Sequence, residues 1–369
     1  MKTTQIRWLP ESGWCGDDLP EASLVLVFAD APYFSTPACY QYLKNKFPNA
    51  CIAGCSSSGN VFGSAISDSD VVATAVRFER GTVRLAVADV TAGEDIQKLA
   101  AGLMEKLKSD DLRHVLVFSD GLMVNGSELA TGLNGSGISV TGGLAGDGTR
   151  FGKTWVMADA PARSGCIAVI GLYGNITVKS GCFAGWQEFG AERIVTKSMG
   201  NVVNEIDKQP ALALYKKYLG ELAKDLPGSG LHFPLSIRAN REDKTIIRTL
   251  LAVDEDAQSL TFAGDVPQGS LCKLMRTNLN RLIDSAGMAA IKARPDDEAS
   301  TGLCLVVSCV GRRLVLGQLI DEELEVVQEK LGNKFTLAGF YSYGELAPFN
   351  DIQQCHLHNQ TMTLTTIFE

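Results

Sequence analysis

Residues that build metal and redox centres are thinly spread in this chain. It has four histidines, and none of its ten cysteines forms a CxxC pair. Neither a zinc ribbon nor a thioredoxin-type site is indicated. Long apolar runs are also missing. The longest, such as Leu24 to Ala29 and Leu303 to Val307, are strand-length, well short of the ~18 residues of a membrane-spanning helix. The first ten residues, Met1-Lys-Thr-Thr-Gln-Ile-Arg-Trp-Leu-Pro10, lack the apolar core of a secretion signal. No run of Lys or Arg occurs, and the formal net charge is −8. Such a chain is poorly suited to nucleic acid or to an anionic membrane surface. The expected location is the cytoplasm, where most cysteines in apolar runs serve as small core residues.

What is present is a repeated pattern. The 369 residues are 45 % hydrophobic and 21 % charged, enough for two folded domains. Three stretches run from an apolar strand through a helix to a second strand ending in glycine. The first spans Leu24–Ala29, a helix near Ala38–Lys46 and Ala50–Gly54. The second spans His114–Ser119, a short helix ending by Gly132 and Ile138–Gly143. The third spans Leu303–Ser308, a helix near Glu322–Leu331 and Phe335–Gly339. Continuous apolar strands of this kind are buried on both faces, and strand–helix–strand units favour parallel pairing. Three hairpins are expected: Val71–Glu79 with Val83–Val90, Cys166–Leu172 with Ile176–Ser180, and Ile246–Asp254 with Ser259–Phe262. Thr91 and Glu94 read as a capping box for a helix whose apolar face carries Ile96, Leu99, Ala100, Leu103, Met104 and Leu107. Leu279, Leu282, Ile283, Ala286 and Ala290 mark another helix. The fold class is therefore α/β, with two domains whose mixed sheets combine strand–helix–strand units and antiparallel hairpins. Residues 1–23 form a lead-in, 24–205 the N-terminal domain and 206–369 the C-terminal domain.

The candidate site residues come from the strand ends. Gly54-Cys55-Ser56-Ser57-Ser58 follows one strand, Gly142-Gly143 ends another, and Tyr343 and Glu345 follow a third. Small residues let a backbone approach a ligand, and ligands of open α/β sheets bind at the carboxyl ends of parallel strands. The same segments also serve as plain tight turns. The P-loop, GxGxxG and GxSxG patterns are all absent, so nucleotide-binding and serine-hydrolase readings are weak. Arg312 and Arg313 follow the strand at Ser308, where a guanidinium can clamp a carboxylate, and Glu345 is a potential partner for one of them. His356 and His358 bracket Leu357 and point to one face of a strand, an arrangement open to a metal or to ordinary hydrogen bonding.

These segments resemble a known family. Gly54-Cys-Ser-Ser-Ser-Gly59, Asp70-Val-Val-Ala-Thr-Ala-Val76 and Gly142-Gly-Leu-Ala-Gly-Asp147 are similar to the N-terminal FIST region. Ser308-Cys-Val-Gly-Arg-Arg313, Gly339 to Pro348 and Leu357-His-Asn-Gln-Thr361 resemble the C-terminal FIST region, which adds Asn359 to the ligand-binding candidates. The resemblance spans about residues 24–365. It implies an intracellular sensory protein of signal transduction that binds a small ligand, an amino acid in the first instance. With no output domain before Glu369, the signal is expected to pass to a separate partner such as a histidine kinase or a cyclic-di-GMP enzyme. A homodimer is compatible with this reading. The resemblance also implies an alternative, a non-covalent haem b that senses nitric oxide in a two-component system, with His358 or His356 as the axial ligand. An enzyme is not expected. The competing enzymatic reading uses Cys55 as a thiol nucleophile and His358 as its base.

Overall fold

Every residue of the strands Leu24–Ala29, Gly302–Cys309 and Met362–Phe368 is buried. Such strands need cover on both faces. The computed structural model, which describes residues 1–297, 299–349 and 353–369, supplies that cover by packing three six-stranded mixed sheets around one core. The architecture is α/β with mixed sheets, as the sequence implies.

Each strand–helix–strand unit founds one sheet through a parallel pair. Leu24–Ala29 pairs with Cys51–Ser56, Leu112–Ser119 with Val140–Leu144, and Gly302–Cys309 with Phe335–Ser342. The registers match. Gly54 lies opposite Val27, Gly142 opposite Val117 and Gly339 opposite Val306. At all three glycines a Cβ would collide with the carbonyl of the facing valine. These glycines are needed for close approach of paired backbones. Phe28, Phe118 and Phe340, one from each sheet, meet at the centre with ring centroids 4.8–6.0 Å apart.

The units exchange strands in a cycle. Asn60–Phe62 leaves the first unit and pairs with Phe335–Ser342 of the third. Gly344–Pro348 leaves the third and pairs with Val140–Leu144 of the second. Val156–Ala158 leaves the second and pairs with Cys51–Ser56 of the first. A ring of equivalent hydrogen bonds follows the same cycle: Ser58 N–H to Tyr341 O (2.8 Å), Tyr343 N–H to Leu144 O (3.1 Å) and Gly146 N–H to Ser56 O (3.0 Å). The body is thus three interlocked copies of one unit.

This exchange corrects two of the expected hairpins. Val71–Arg77 pairs within the first sheet, whereas Gly81–Asp89 crosses to the second. Cys166–Gly174 belongs to the second sheet and Thr177–Phe183 to the third. Glycine turns at these points carry the chain between sheets. The third hairpin forms, from Leu250–Asp254 and Ser259–Phe262. Thr91 and Glu94 do bond, Thr91 N–H to Glu94 Oε2 at 2.7 Å, but they lie one step upstream of the helix. Helix Ile96–Leu107 is capped by Asp95, which accepts from Lys98 N–H.

Residues 187–276 fold apart from the sheets of the body. Their strands form a fourth, antiparallel sheet against the helix Ala211–Leu219, with its own core that includes Val195, Leu212, Leu235 and Phe262. The 205/206 boundary expected from sequence falls inside this lobe, within the strand Val202–Ile206, which pairs with Gln209–Pro210. Nor is 1–23 merely a lead-in. Lys2–Leu9 and Gly13–Gly16 complete the edge of the first sheet.

Candidate ligand-binding cavity

A cavity of about 560 Å³ opens where the lobe meets the body, a size suited to a small organic ligand. The body supplies three of its walls. The first is the loop after the Leu112–Ser119 strand. Asp120 holds it by accepting from Leu122 and Met123 N–H on one oxygen and from Ser164 Oγ and Gly165 N–H on the other, all within 2.8–2.9 Å. Asn125 ends the loop and caps helix Gly126–Leu133 by accepting from Ser127 and Glu128 N–H. The second wall is the start of the helix Val310–Leu316, with Cys309, Val310, Gly311 and Leu314. The third combines Tyr343, Leu357 and Asn359. The lobe closes the other side with Asn201, Pro227, Leu231, Thr249–Leu251 and Phe262–Asp265.

Two lining side chains carry buried oxygens that no protein group satisfies. Asn359 is fully buried, and its Nδ2 donates to the His358 carbonyl at 3.0 Å while its Oδ1 has no partner. Thr249 is 4 % exposed, and its Oγ1 is likewise unpartnered. Gln360 Oε1, next in sequence to Asn359, has no partner either but does not line the cavity. Buried polar atoms almost always find a partner, and these two lining oxygens have none among the described residues. Tyr343 stacks on Phe151 at 4.8 Å, and its hydroxyl reaches Asp147 and the Gly148 carbonyl. Burial works to raise the Asp147 carboxyl. The Tyr343 hydroxyl and the Gly152 and Lys153 amides outweigh it and hold the group below the ordinary range.

Of the residues singled out from sequence, Tyr343 and Asn359 line this cavity. The others do not. Gly54, Gly142 and Gly143 are interior strand positions. Ser56, Ser57 and Ser58 are buried and bonded to the fold itself, through Trp155 N–H, Asn60 Oδ1 and Gly148 N–H respectively. Arg312 is no carboxylate clamp for a ligand. It is fully buried, and its five hydrogen bonds go to Glu323 (twice), Ala184 O, Ser285 Oγ and Leu282 O. Arg313 is engaged by Asp68 at 2.6 Å. Glu345 is bonded not to an arginine but to Ser342 Oγ, Thr361 N–H and Thr361 Oγ1. Burial pushes its carboxyl up to about 7 against those bonds. Cys55 is fully buried, with its thiol raised well above the ordinary value by desolvation, which does not fit a nucleophile.

The histidine pair lies on strand Cys355–His358 and does not line the cavity. His358 Nε2 is 3.1 Å from the Ala347 carbonyl, its ring packs 4.9 Å from Phe349, and burial depresses its pKa to about 3. His356 packs against the same phenylalanine at 5.0 Å. Among the described residues no three His, Cys, Asp or Glu side chains cluster as metal ligands. These surroundings offer no imidazole nitrogen to the cavity and do not fit a haem there.

Thr249, Asn201 and Asp265 carried no signal in the sequence, because the lobe reaches the site only through tertiary docking. Asn125, by contrast, is legible in retrospect from Asn125-Gly-Ser-Glu128, a helix-capping pattern.

Family models for the FIST N domain and the FIST C domain match residues 23–209 and 211–348. The chain belongs to the FIST family. FIST domains are sensory domains of signal transduction, and a sensory role follows for this chain in general terms. No curated protein matches it. Among solved structures it is similar to a cyanuic acid hydrolase from A. caulinodans, at 7 % identity and a TM-score of 0.36, over 94 % of this chain and 90 % of that one. A likeness that distant carries no inference about activity. No helix of the FIST chain's described residues is long and apolar enough to cross a membrane.

Proposed function

We propose that this FIST protein binds a small molecule between lobe and body and reports its presence to a separate signalling partner. The observation that supports the reading is the pair of unpartnered oxygens, on Asn359 and Thr249, in a cavity made jointly by two folding units. The joint is spanned by few polar contacts. Asn125 Nδ2 donates to Asp265 Oδ1 at 3.1 Å, and Asp265 N–H donates to Ser127 Oγ at 3.1 Å. Arg248 Nη1 donates to Leu357 O at 3.0 Å, and Gln360 Nε2 to Leu231 O at 3.3 Å. A ligand in this joint touches both units, so its binding energy biases how the lobe sits on the body. A histidine kinase or a cyclic-di-GMP enzyme is the class of partner that the family favours.

The test is a thermal-shift screen of metabolites on the wild type and on Leu314→Trp, which narrows the cavity mouth. A true ligand raises the melting temperature of the wild type alone. Hits that stabilise both proteins equally would sink the proposal.

A further inference from the structure

We infer that the ligand of this cavity is an uncharged, largely apolar molecule that carries at least one N–H or O–H donor. The inference rests on the reading of the cavity as the sensory site and narrows it.

Charge comes first. Among the described lining residues there is no lysine, arginine or histidine, and the one carboxylate is Asp265. An anion would lose its hydration there, gain no cation and face a negative charge. Neither nearby arginine lines the cavity. Arg312 spends all five N–H groups inside the fold. Arg248 donates through Nε to the Asp265 carbonyl (2.9 Å) and through Nη1 to those of Ile247 (3.1 Å) and Leu357 (3.0 Å), and it does not line the cavity. An amino-acid ligand, the first expectation of the family resemblance, would leave its carboxylate unpaired.

Apolarity comes next. Leu122, Met123, Phe151, Leu251 and Leu314 all line the cavity, and they are five of the twelve large hydrophobic side chains that the described residues leave exposed. Here they gather round one opening. Exposed apolar surface concentrated at a cavity marks a site that gains by being covered.

The donor requirement follows from Asn359. Its amide is oriented by Nδ2 donating to the His358 carbonyl. The free atom is therefore the carbonyl oxygen, which can only accept. Thr249 Oγ1 tolerates either role. A ligand satisfies the pair by placing an N–H or O–H against Asn359.

The experiment uses three dyes with one skeleton, titrated into the full chain and read by fluorescence. N-phenyl-1-naphthylamine is neutral and has an N–H. Its N-methyl derivative lacks the donor, and 1-anilinonaphthalene-8-sulfonate adds a negative charge. The expected result is one saturable site for the neutral amine. The sulfonate should bind at least roughly tenfold more weakly, as should the N-methyl compound, because each leaves a buried group unpaired. The gap between amine and N-methyl compound should close in Asn359→Leu, with Asn359→Ala used if the leucine variant does not fold. Tighter or equal binding of the sulfonate overturns the inference. So does a donor gap that survives in the Asn359 variants, or the absence of saturable binding by the amine. Amine binding that is unchanged in Leu314→Trp would instead remove the cavity itself as the site.

Discussion

Two buried polar clusters in this molecule look alike in sequence and differ in what they lack. Around Arg312 every group is satisfied. The guanidinium makes five hydrogen bonds, and Glu323 also accepts from Tyr341 Oη at 2.6 Å and Ser308 Oγ at 3.1 Å. At the interlobe cavity Asn359 and Thr249 each keep an oxygen with no partner. A closed network fixes helices against a sheet, whereas an open one waits for a molecule that the chain does not supply. Completeness of hydrogen bonding, more than residue type, separates the structural site from the candidate binding site.

Breaking the closed network gives the largest expected effect. Arg312→Ala leaves the Glu323 carboxylate buried without its cation and should cost about 3–5 kcal/mol of stability, read from denaturant melts. A loss below about 1 kcal/mol would mean that the network is not the structural anchor described.

Glu345 lies between the extremes, bonded yet raised to about 7 by burial. From about pH 4.3 to about pH 7 the folded chain keeps a proton on it that the unfolded chain has lost. Its contribution is therefore full below the unfolded value and is lost as pH rises through 7. His114 and His358, both depressed to about 3 by burial, work the other way. The unfolded chain takes up protons that the folded chain refuses, so stability falls as pH drops from about 6.5 towards 3. Glu345→Gln should remove the first effect and leave the second. Between about pH 5 and about pH 7 its stability should rise more steeply with pH than that of the wild type. Parallel pH profiles would show that Glu345 does not titrate there.

Tyr343→Phe sharpens the comparison from the cavity side. It removes the hydroxyl that reaches Asp147 but leaves that carboxylate its bonds from Phe151, Gly152 and Lys153 N–H. A loss of about 1 kcal/mol is expected. The smallest effect belongs to Thr249→Val. Because Oγ1 has no partner, removing it should leave the ligand-free chain unchanged or more stable by up to about 1 kcal/mol. A loss of 2 kcal/mol or more would mean that the hydroxyl is bonded after all.

Much of the fold was legible. The helices Ala38–Lys46 and Leu279–Ala293, and all three parallel strand pairs, followed from periodicity and apolar runs. What misled was adjacency. Val71–Arg77 and Gly81–Asp89 read as a hairpin because a glycine turn joins them, yet each pairs with strands of a different sheet. Little of the candidate site was legible. Tyr343 and Asn359 stood out from strand-end position and from family resemblance. Arg312 was misjudged because helix Leu279–Ala293, distant in sequence, covers it and supplies Leu282 O and Ser285 Oγ.

The sequence by itself determined the elements. Continuous apolar strands demand burial on both faces, and the glycines at 54, 142 and 339 allow the close backbone approach that parallel pairing needs there. Those are local demands, written within a few residues. Only the tertiary structure decided which strands exchange between units, which polar groups are closed off and which are left open. A hydrogen-bond partner hundreds of residues away leaves no trace in the local pattern, and the cavity exists only where the lobe docks on the body.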